Sequence, residues 1–387
     1  KVPAADAPFD LLFRGGRVVD GTGAPWFAAD VGVRDGRIAA VGVLTGQAAK
    51  RTIEAKGLVV APGFIDLLGQ SEYNVLVDRR AASKITQGIT TEVTGEGDSI
   101  APLDDKLIAE NRDFYQKYGV VPDWRTLDGY FKALEKRGTA INLGTLIGTG
   151  GVRAMVVGRE KRPATPAELA QMEALVDQAM REGALGVSSS LQYIPNIYSS
   201  TDELIALAKV AAKYGGAYFT HQRSESDRLD SSLDEVFRIA QAAGIRTQIW
   251  HLKTAYRPNF GRMPAILRRI EDARARGIDV AANQYPWNRA SNGLDACLPP
   301  WVREGGREPL LKRLAEPATR ARVKEDMGRE TKDWENQWLG ADGAEGVMVA
   351  EVLSDGLKRF EGKTIAAITR AEAKDPRDVV IDIVLAD

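Results

Sequence analysis

Histidine and cysteine are almost missing from this chain. Its 387 residues include two histidines, His221 and His251, and one cysteine, Cys297. A single thiol excludes an internal disulfide and every cysteine-rich zinc site, although it does not fix the compartment. Net charge is missing too: 52 Lys and Arg against 53 Asp and Glu leave −1. That balance argues against nucleic acid or an anionic membrane surface as a partner. No run reaches the roughly 18 apolar residues that span a bilayer. The first residues, KVPAADAPFD, contain neither an initiator Met nor an apolar h-region. They read as a trimmed N-terminus, which leaves a periplasmic or secreted location and a cytoplasmic one both open. Nothing in the sequence reports the oligomeric state.

What is present is a large apolar fraction, 44%, enough for a sizeable core. Residues 10–60 carry short alternating runs, DLLFRGGRVVDG and ADVGVRDGRIAAVG, punctuated by Gly and Asp-Gly turns. They predict a small sheet domain over 1–57. From residue 58 the pattern changes. LVVAPGFIDLLG is almost continuously apolar, as in a buried parallel strand. Further candidate strands are TTEVTGE (90–96), NLGTLIGTG (142–150), GALGVSSS (183–190), GAYFTHQR (216–223), RTQIWHLK (246–253) and DVAANQYP (279–286). That makes seven, the last four at about 30-residue spacing.

Capped helices separate these last strands. Thr165-Pro166-Ala167-Glu168 fits a capping box with Pro at the first helical position. Ser200 with Glu203 opens a helix ending at Gly215, and Ser231 with Asp234 and Glu235 opens one ending at Gly244. A fourth runs from about Pro264 to Arg276 and stops at Gly277. Repeated β/α units of this length predict an α/β fold with a parallel sheet. The absence of a dinucleotide fingerprint after the first strand favours a (β/α)8 TIM-type barrel, with strands one to seven in 58–301. Residues 302–376 read as a charged helical insertion or lid, and 377–387 as a return toward the barrel. An eighth strand is not in the sequence, so the chain reads as truncated, the alternative being a neighbour that completes the barrel.

Strand alternation shows which side chains share a face. It groups Phe219, His221 and Arg223, then Ile249, His251 and Lys253, then Glu92, Thr94 and Glu96. Barrel chemistry sits at the C-terminal ends of the strands, where Glu96 is the nearest strand-two carboxylate. One Glu and two neutral His with an open fourth position form a catalytic zinc shell. Glu92 and Asp98 compete with Glu96, but Glu92 is expected deeper, in a salt bridge or polar layer, and Asp98 has left the strand. The plainer alternative is a pair of hydrogen-bonded histidines. Lys253, two residues after His251, is placed to meet a substrate carboxylate, unless it forms an interior salt bridge to Glu92 or Glu96.

These ordered motifs resemble the amidohydrolase superfamily, and within it the N-acyl-D-amino-acid deacylases, or D-aminoacylases. LLFRGGRVVDGTG and VGVRDGRIAAVG look like part of the family's small β-sandwich, and APGFID like its first barrel strand. GVSSSLQYIPNIYSSTDEL, THQRSES, WHLKTAYRPNFG and NQYPWNRASNGL look like its later motifs. The resemblance implies a metal-dependent hydrolase of linear amides, in which a metal-activated water attacks the carbonyl of a small N-acyl amino acid. It implies a mononuclear site of Glu96, His221 and His251, with zinc as the default, one per chain, and Mn, Fe or Co fitting similar shells. It adds Tyr285 and Ser291 to Lys253 as substrate contacts, with Tyr193 and Arg223 as further candidates and a core position as the plainer reading of Tyr285, and it places Trp287, Trp301, Trp334 and Trp338 in or near a lid. Trp334 and Trp338 could instead pack the insertion's own core.

Departures from the family bear on function. Leu68 and Gln70 stand where the family has a His-x-His pair, Glu96 where it often has a metal-binding Cys, and Thr149 where it often has a His. The family's general acid/base, an Asp at the end of strand eight, falls beyond this sequence; Glu225 is a local candidate that reads better as a support for His221 or a loop. Two alternatives follow: a catalytically silent binding protein on this fold, and a dipeptidase or cyclic amidase with the same metal site.

Overall fold

The computed structural model describes residues 8–387. Most of the stretch read as a trimmed N-terminus therefore lies outside the described residues. The chain divides into two compact units. One holds the residues up to Ile65 together with Thr86–Thr91; the other holds Asp66–Ile85 and Glu92–Asp387.

The first unit contains strands β1 (Phe9–Val18), β2 (Phe27–Arg34), β3 (Arg37–Gly42), β4 (Ala49–Glu54) and β5 (Val59–Val60). They form one five-stranded sheet in the order β3-β2-β1-β4, with β5 also on β1. The Asp-Gly signal between β2 and β3 is a tight turn, with φ of +52° at Asp35 and +69° at Gly36, the signs of a type I′ hairpin. Gly32 is required by packing, because a Cβ there would sit 2.6 Å from the Phe9 ring. The second layer of the expected sandwich is not among the described residues.

The remaining strands are β6 (Phe64–Asp66), β7 (Ile89–Thr94), β8 (Asn142–Thr145), β9 (Ile147–Gly148), β10 (Gly186–Ser190), β11 (Ala217–His221), β12 (Arg246–Ile249) and β13 (Val280–Ala282). β9 to β13 make a five-stranded sheet in sequential order, all neighbours parallel. β6, β7 and β8 form a separate three-stranded sheet. The expected barrel is therefore not closed among the described residues. The run NLGTLIGTG splits at Leu146, whose N–H bonds the Thr94 carbonyl instead of continuing one strand.

The crossover helices are Pro166–Arg181, Thr201–Ala212, Leu229–Ala243 and Met263–Ala275. The Thr165 capping box is present in full, and Ser200 caps the next helix through the Glu203 N–H. The third helix starts earlier than Ser231. Leu229 and Leu233 anchor it in the core, and the Ser231 hydroxyl bonds the Arg228 carbonyl from within the first turn.

Residues 300–387 are mostly helical around a core of their own, which includes Leu298, Val302, Leu314, Val323, Trp338 and the buried Cys297. The stretch read as a return toward the barrel, 377–387, falls in the helix Pro376–Ala386 and its C-cap. Val379, Val380, Ile381, Ile383 and Val384 all enter that core, so tertiary burial overrides strand propensity. No helix among the described residues is long and apolar enough to cross a membrane.

A buried ion pair ties the helix Thr149–Val156 to Thr201–Ala212. Arg153 Nη1 donates to Glu203 Oε2 at 2.6 Å, Ser199 donates to Glu203 Oε1 at 2.7 Å, and Arg153 Nη2 donates to the Arg162 carbonyl. Removing one partner of such a pair strands a buried charge, at about 3–5 kcal/mol. Arg153→Ala should therefore lower the urea midpoint of this unit strongly, whereas a surface change such as Lys132→Ala should leave it almost unmoved.

Candidate metal centre

Glu96 does not reach its position by strand alternation. β7 ends at Thr94, and Gly95 and Gly97 adopt φ of +91° and +69°, a region side chains rarely allow. A Cβ at Gly95 would also lie 2.4 Å from the Leu146 carbonyl oxygen. Ser188 of β10 brackets this turn. Its hydroxyl accepts the Gly97 N–H at 3.0 Å and donates to the Gly95 carbonyl. Glu92 stays behind, fully buried, accepting the Ser71 N–H at 3.1 Å with Lys84 Nζ 3.6 Å away. That is the polar layer expected of it.

His221 closes β11, opposite Ser190 of β10. Its Nδ1 lies 3.0 Å from Glu96 Oε1. β12 stops at Ile249, and His251 follows it with φ +36°, a conformation that costs on the order of 1–3 kcal/mol. Asn283 Oδ1 accepts the His251 N–H at 2.7 Å and holds the bend. His251 Nε2 lies 3.3 Å from the same Glu96 oxygen. The imidazole centroids are 4.6 Å apart at 84°. Ligand atoms of Glu96, His221 and His251 all fall within 4.8 Å of one another. Both histidines are buried, and His221 Nε2 has no hydrogen-bond partner. One carboxylate and two imidazoles gathered in this way fit a divalent cation.

The departures from the family pattern are built into the surroundings. Gln70 donates to Glu96 Oε2 at 2.7 Å. Leu68 packs with Val93, Leu146, Trp250 and Phe219. Thr149 is buried and donates to the Ser188 carbonyl at 2.8 Å.

Glu225 has a larger part than the sequence indicated. Its Oε1 lies 2.9 Å from His251 Nδ1 and 2.7 Å from Lys253 Nζ, and its Oε2 3.9 Å from His221 Nε2. Burial pushes the Glu225 carboxyl up, but the two histidines and Lys253 outweigh it and bring it down to about 2. Burial likewise works against Glu96, and the same histidines hold it well below the usual carboxylate range. Burial alone would lower His251; hydrogen bonds to Glu225 and Glu96 raise it to about 9. Glu225 thus fixes the ring of His251 from behind, as carboxylates do for metal-binding histidines.

The expected substrate residues fall in different places. Lys253 is engaged by Glu225, and not by Glu92 or Glu96; its ammonium also sits 5.4 Å from the centre of the Tyr285 ring. Tyr285 is half-buried, 6.1 Å from His251. The Tyr193 ring stands edge-on to His221 at 5.1 Å, and its hydroxyl accepts a bond from Asn292 Nδ2 at 3.4 Å. Ser291 is exposed in the loop after β13. Arg223 turns away: its guanidinium donates to the Ile197 and Ser199 carbonyls and both Glu235 oxygens, each at 2.9 Å. Trp338 is a core residue, Trp301 bonds Asp326, and Trp287 is 73% exposed. Sequence reasoning missed Ser188, although three consecutive serines in an otherwise buried strand already require a polar network.

No family model matches the chain. Solved structures do. One is the crystal structure of a D-aminoacylase described as defining a novel subset of amidohydrolases; it is 31% identical, with a TM-score of 0.76 over 97% of this chain and 70% of that one. The chain therefore belongs to the amidohydrolases, in the D-aminoacylase family. It is also similar to N-acyl-D-glutamate deacylase from Bordetella bronchiseptica, solved with zinc and a phosphonate mimic of the tetrahedral intermediate; identity is 29% and TM-score 0.78, over 98% of this chain and 71% of that one. Among curated proteins, a D-aminoacylase from Alcaligenes xylosoxydans xylosoxydans is 39% identical over 288 residues, 74% of this chain. The match spans 59% of that relative, so the chain corresponds to about three fifths of its length.

A metal-independent prediction follows from the ring's two carboxylate neighbours. In chelator-treated protein, His251 should hold its proton to about pH 9, and Glu225→Gln should lower that midpoint by about a unit or more. A histidine raised in the folded state stabilises fully below its ordinary value near 6.5, and the contribution is lost as pH rises through 9. NMR titration of the imidazole, in both proteins, reads the midpoint directly.

Proposed function

We propose that the chain carries the metal centre of a hydrolase of linear amides, with N-acyl-D-amino acids as the substrate class. The observation that carries this reading is the convergence of Glu96, His221 and His251 on one buried point, with all ligand atoms within 4.8 Å. The same proposal treats β6 to β13 as strands of a (β/α)8 barrel and the helices after Pro300 as its lid. Glu96, His221 and His251 would hold a divalent cation, zinc first and one per chain, which would supply Lewis acidity to the scissile carbonyl and to the attacking water.

The other contributions come from the chain itself. Glu96 supplies the negative charge, and its second oxygen is kept in place by Gln70. Glu225 holds His251 Nδ1, so that Nε2 faces Glu96. Buried between His251 and Lys253, Glu225 orients and does not shuttle protons. The Tyr193 ring shields His221 from water on one side, which strengthens the electrostatics of the site. Tyr285, over which Lys253 sits, stands beside His251 at the strand ends. Gln70 at the first family ligand pair supports one metal over two, because its amide fills the space beside Glu96 without adding a charged ligand. The relatives' names support the substrate class, and the zinc complex of the deacylase relative supports the metal.

A catalytically silent binding protein is the competing reading. It is favoured by Leu68 and Thr149, which are packed or hydrogen-bonded where the family often has ligands. Elemental analysis of full-length protein and of Glu96→Ala and His221→Ala decides between them. The proposal expects about one metal per chain, lost in either variant together with roughly a thousandfold or more of amidase activity on N-acetyl-D-amino acids. Wild-type protein free of metal, or variants that keep full activity, would remove the hydrolase.

A further inference from the structure

Glu225 holds the ring of His251 but lies outside any strand, in the turn between His221 and the helix Leu229–Ala243. Ser224, Glu225 and Ser226 are all buried, so the backbone groups of this turn need partners within the protein. They find them in three directions. The Ser224 N–H donates to the Ser232 hydroxyl at 2.8 Å, from the helix that follows. The Glu225 carbonyl receives the Ala255 N–H at 2.7 Å, from the loop after β12. The Glu225 N–H donates to Glu335 Oε2 at 2.9 Å. Glu335 stands 110 residues further along the chain, among the helices after Pro300.

The backbone that presents Glu335 is itself fixed. Asn336, the next residue, donates to the Met327 and Arg329 carbonyls at 3.0 and 3.2 Å and accepts the Leu339 N–H at 3.2 Å. Trp338 anchors the short helix Gln337–Gly340 in the core. Burial raises the Glu335 carboxyl; the Ser224 hydroxyl, the Glu225 N–H and the Ser226 hydroxyl work against that rise, and the Glu225 charge adds to it. Attraction between charges therefore does not explain the contact, since one carboxylate here faces the turn that carries another. A carboxylate does have lone pairs enough to meet several donors of one turn together.

We propose that Glu335 is a positioning residue of the metal centre. By accepting the Glu225 N–H it fixes the turn from which Glu225 reaches His251 Nδ1 at 2.9 Å and Lys253 Nζ at 2.7 Å. The proposal rests on the reading of Glu96, His221 and His251 as a metal site. It makes the helices after Pro300 part of the support of that site, through a residue that touches neither histidine. Partners that orient a metal-binding histidine are worth roughly 10–100-fold in metal affinity. A second link between the same helices and a neighbouring loop serves as the control: Arg257 Nε lies 2.8 Å from Asp342 Oδ2, with both side chains exposed.

Two measurements on the full chain test this. Zinc affinity is read by competition with a chromophoric chelator, and hydrogen exchange of the Glu225 amide is followed in metal-free protein. Glu335→Ala should weaken zinc by about tenfold or more and speed the exchange by a similar factor. Glu335→Gln, which keeps an oxygen acceptor, should restore most of both. Arg257→Ala, which breaks the other link, should move neither. Wild-type zinc affinity in folded Glu335→Ala overturns the assignment. So do equal losses in Glu335→Ala and Arg257→Ala, which would mean a general loosening of the C-terminal helices. Should Glu335→Ala fail to fold, Glu335→Asp, shorter by one methylene, carries the same comparison. A wild type that binds no zinc removes the metal site itself; unchanged exchange in Glu335→Ala removes the hold of Glu335 on the turn, whether or not zinc binds.

Discussion

One hydroxyl holds the centre together. Ser188 spans the Gly95 carbonyl and the Gly97 N–H, so the residue between them has a single place to go. The same strand supports other polar parts. The Ser188 carbonyl receives Thr149, the Ser190 N–H bonds Asn196 at 2.7 Å, and Ser189 bonds Tyr218 and Thr220. β10 is thus a polar spine inside a buried sheet. In a low-dielectric interior such bonds are strong only when complete, so the geometry of Glu96 depends on a network made almost wholly of small hydroxyls. The parallel pairing of β10 with β11 then delivers His221 beside it.

The sequence exposed the parts that periodicity encodes. Parallel strands, their spacing, the caps at Thr165 and Ser200, and the convergence of Glu96 with His221 and His251 were all legible. The reason for the convergence was not. Alternation put Glu96 and His251 on strand faces, whereas a glycine bracket and a positive φ put them where they are. Backbone reversals of that kind leave only a Gly or nothing in the sequence. The final helix was illegible because Val and Ile favour strands locally and a non-local core decides otherwise. Arg223 was misplaced because alternation fixes a face but not the partner, and Glu235 lies a full loop away.

Charge at the centre is arranged in two layers. Glu96 faces both imidazoles directly, while Glu225 stands behind His251 and is itself neutralised by Lys253. The inner carboxylate is kept ionised by its neighbours, and the outer one keeps the ring oriented. This division lets each acid do one thing. It also explains why a lysine at the strand end need not face solvent: its partner is the group that steadies a histidine.

The cluster of Glu96, His221 and His251 holds oxygen and nitrogen atoms and no sulfur. The single thiol, Cys297, lies in the core of the C-terminal helices, where burial pushes it up to about 12. A carboxylate cannot be alkylated by iodoacetamide under ordinary conditions or carried up the ladder from sulfenic to sulfonic acid. Peroxide and electrophiles that would disable a thiolate-lined centre find no soft target here. The cluster of Glu96, His221 and His251 thus offers an oxidant no sulfur to modify.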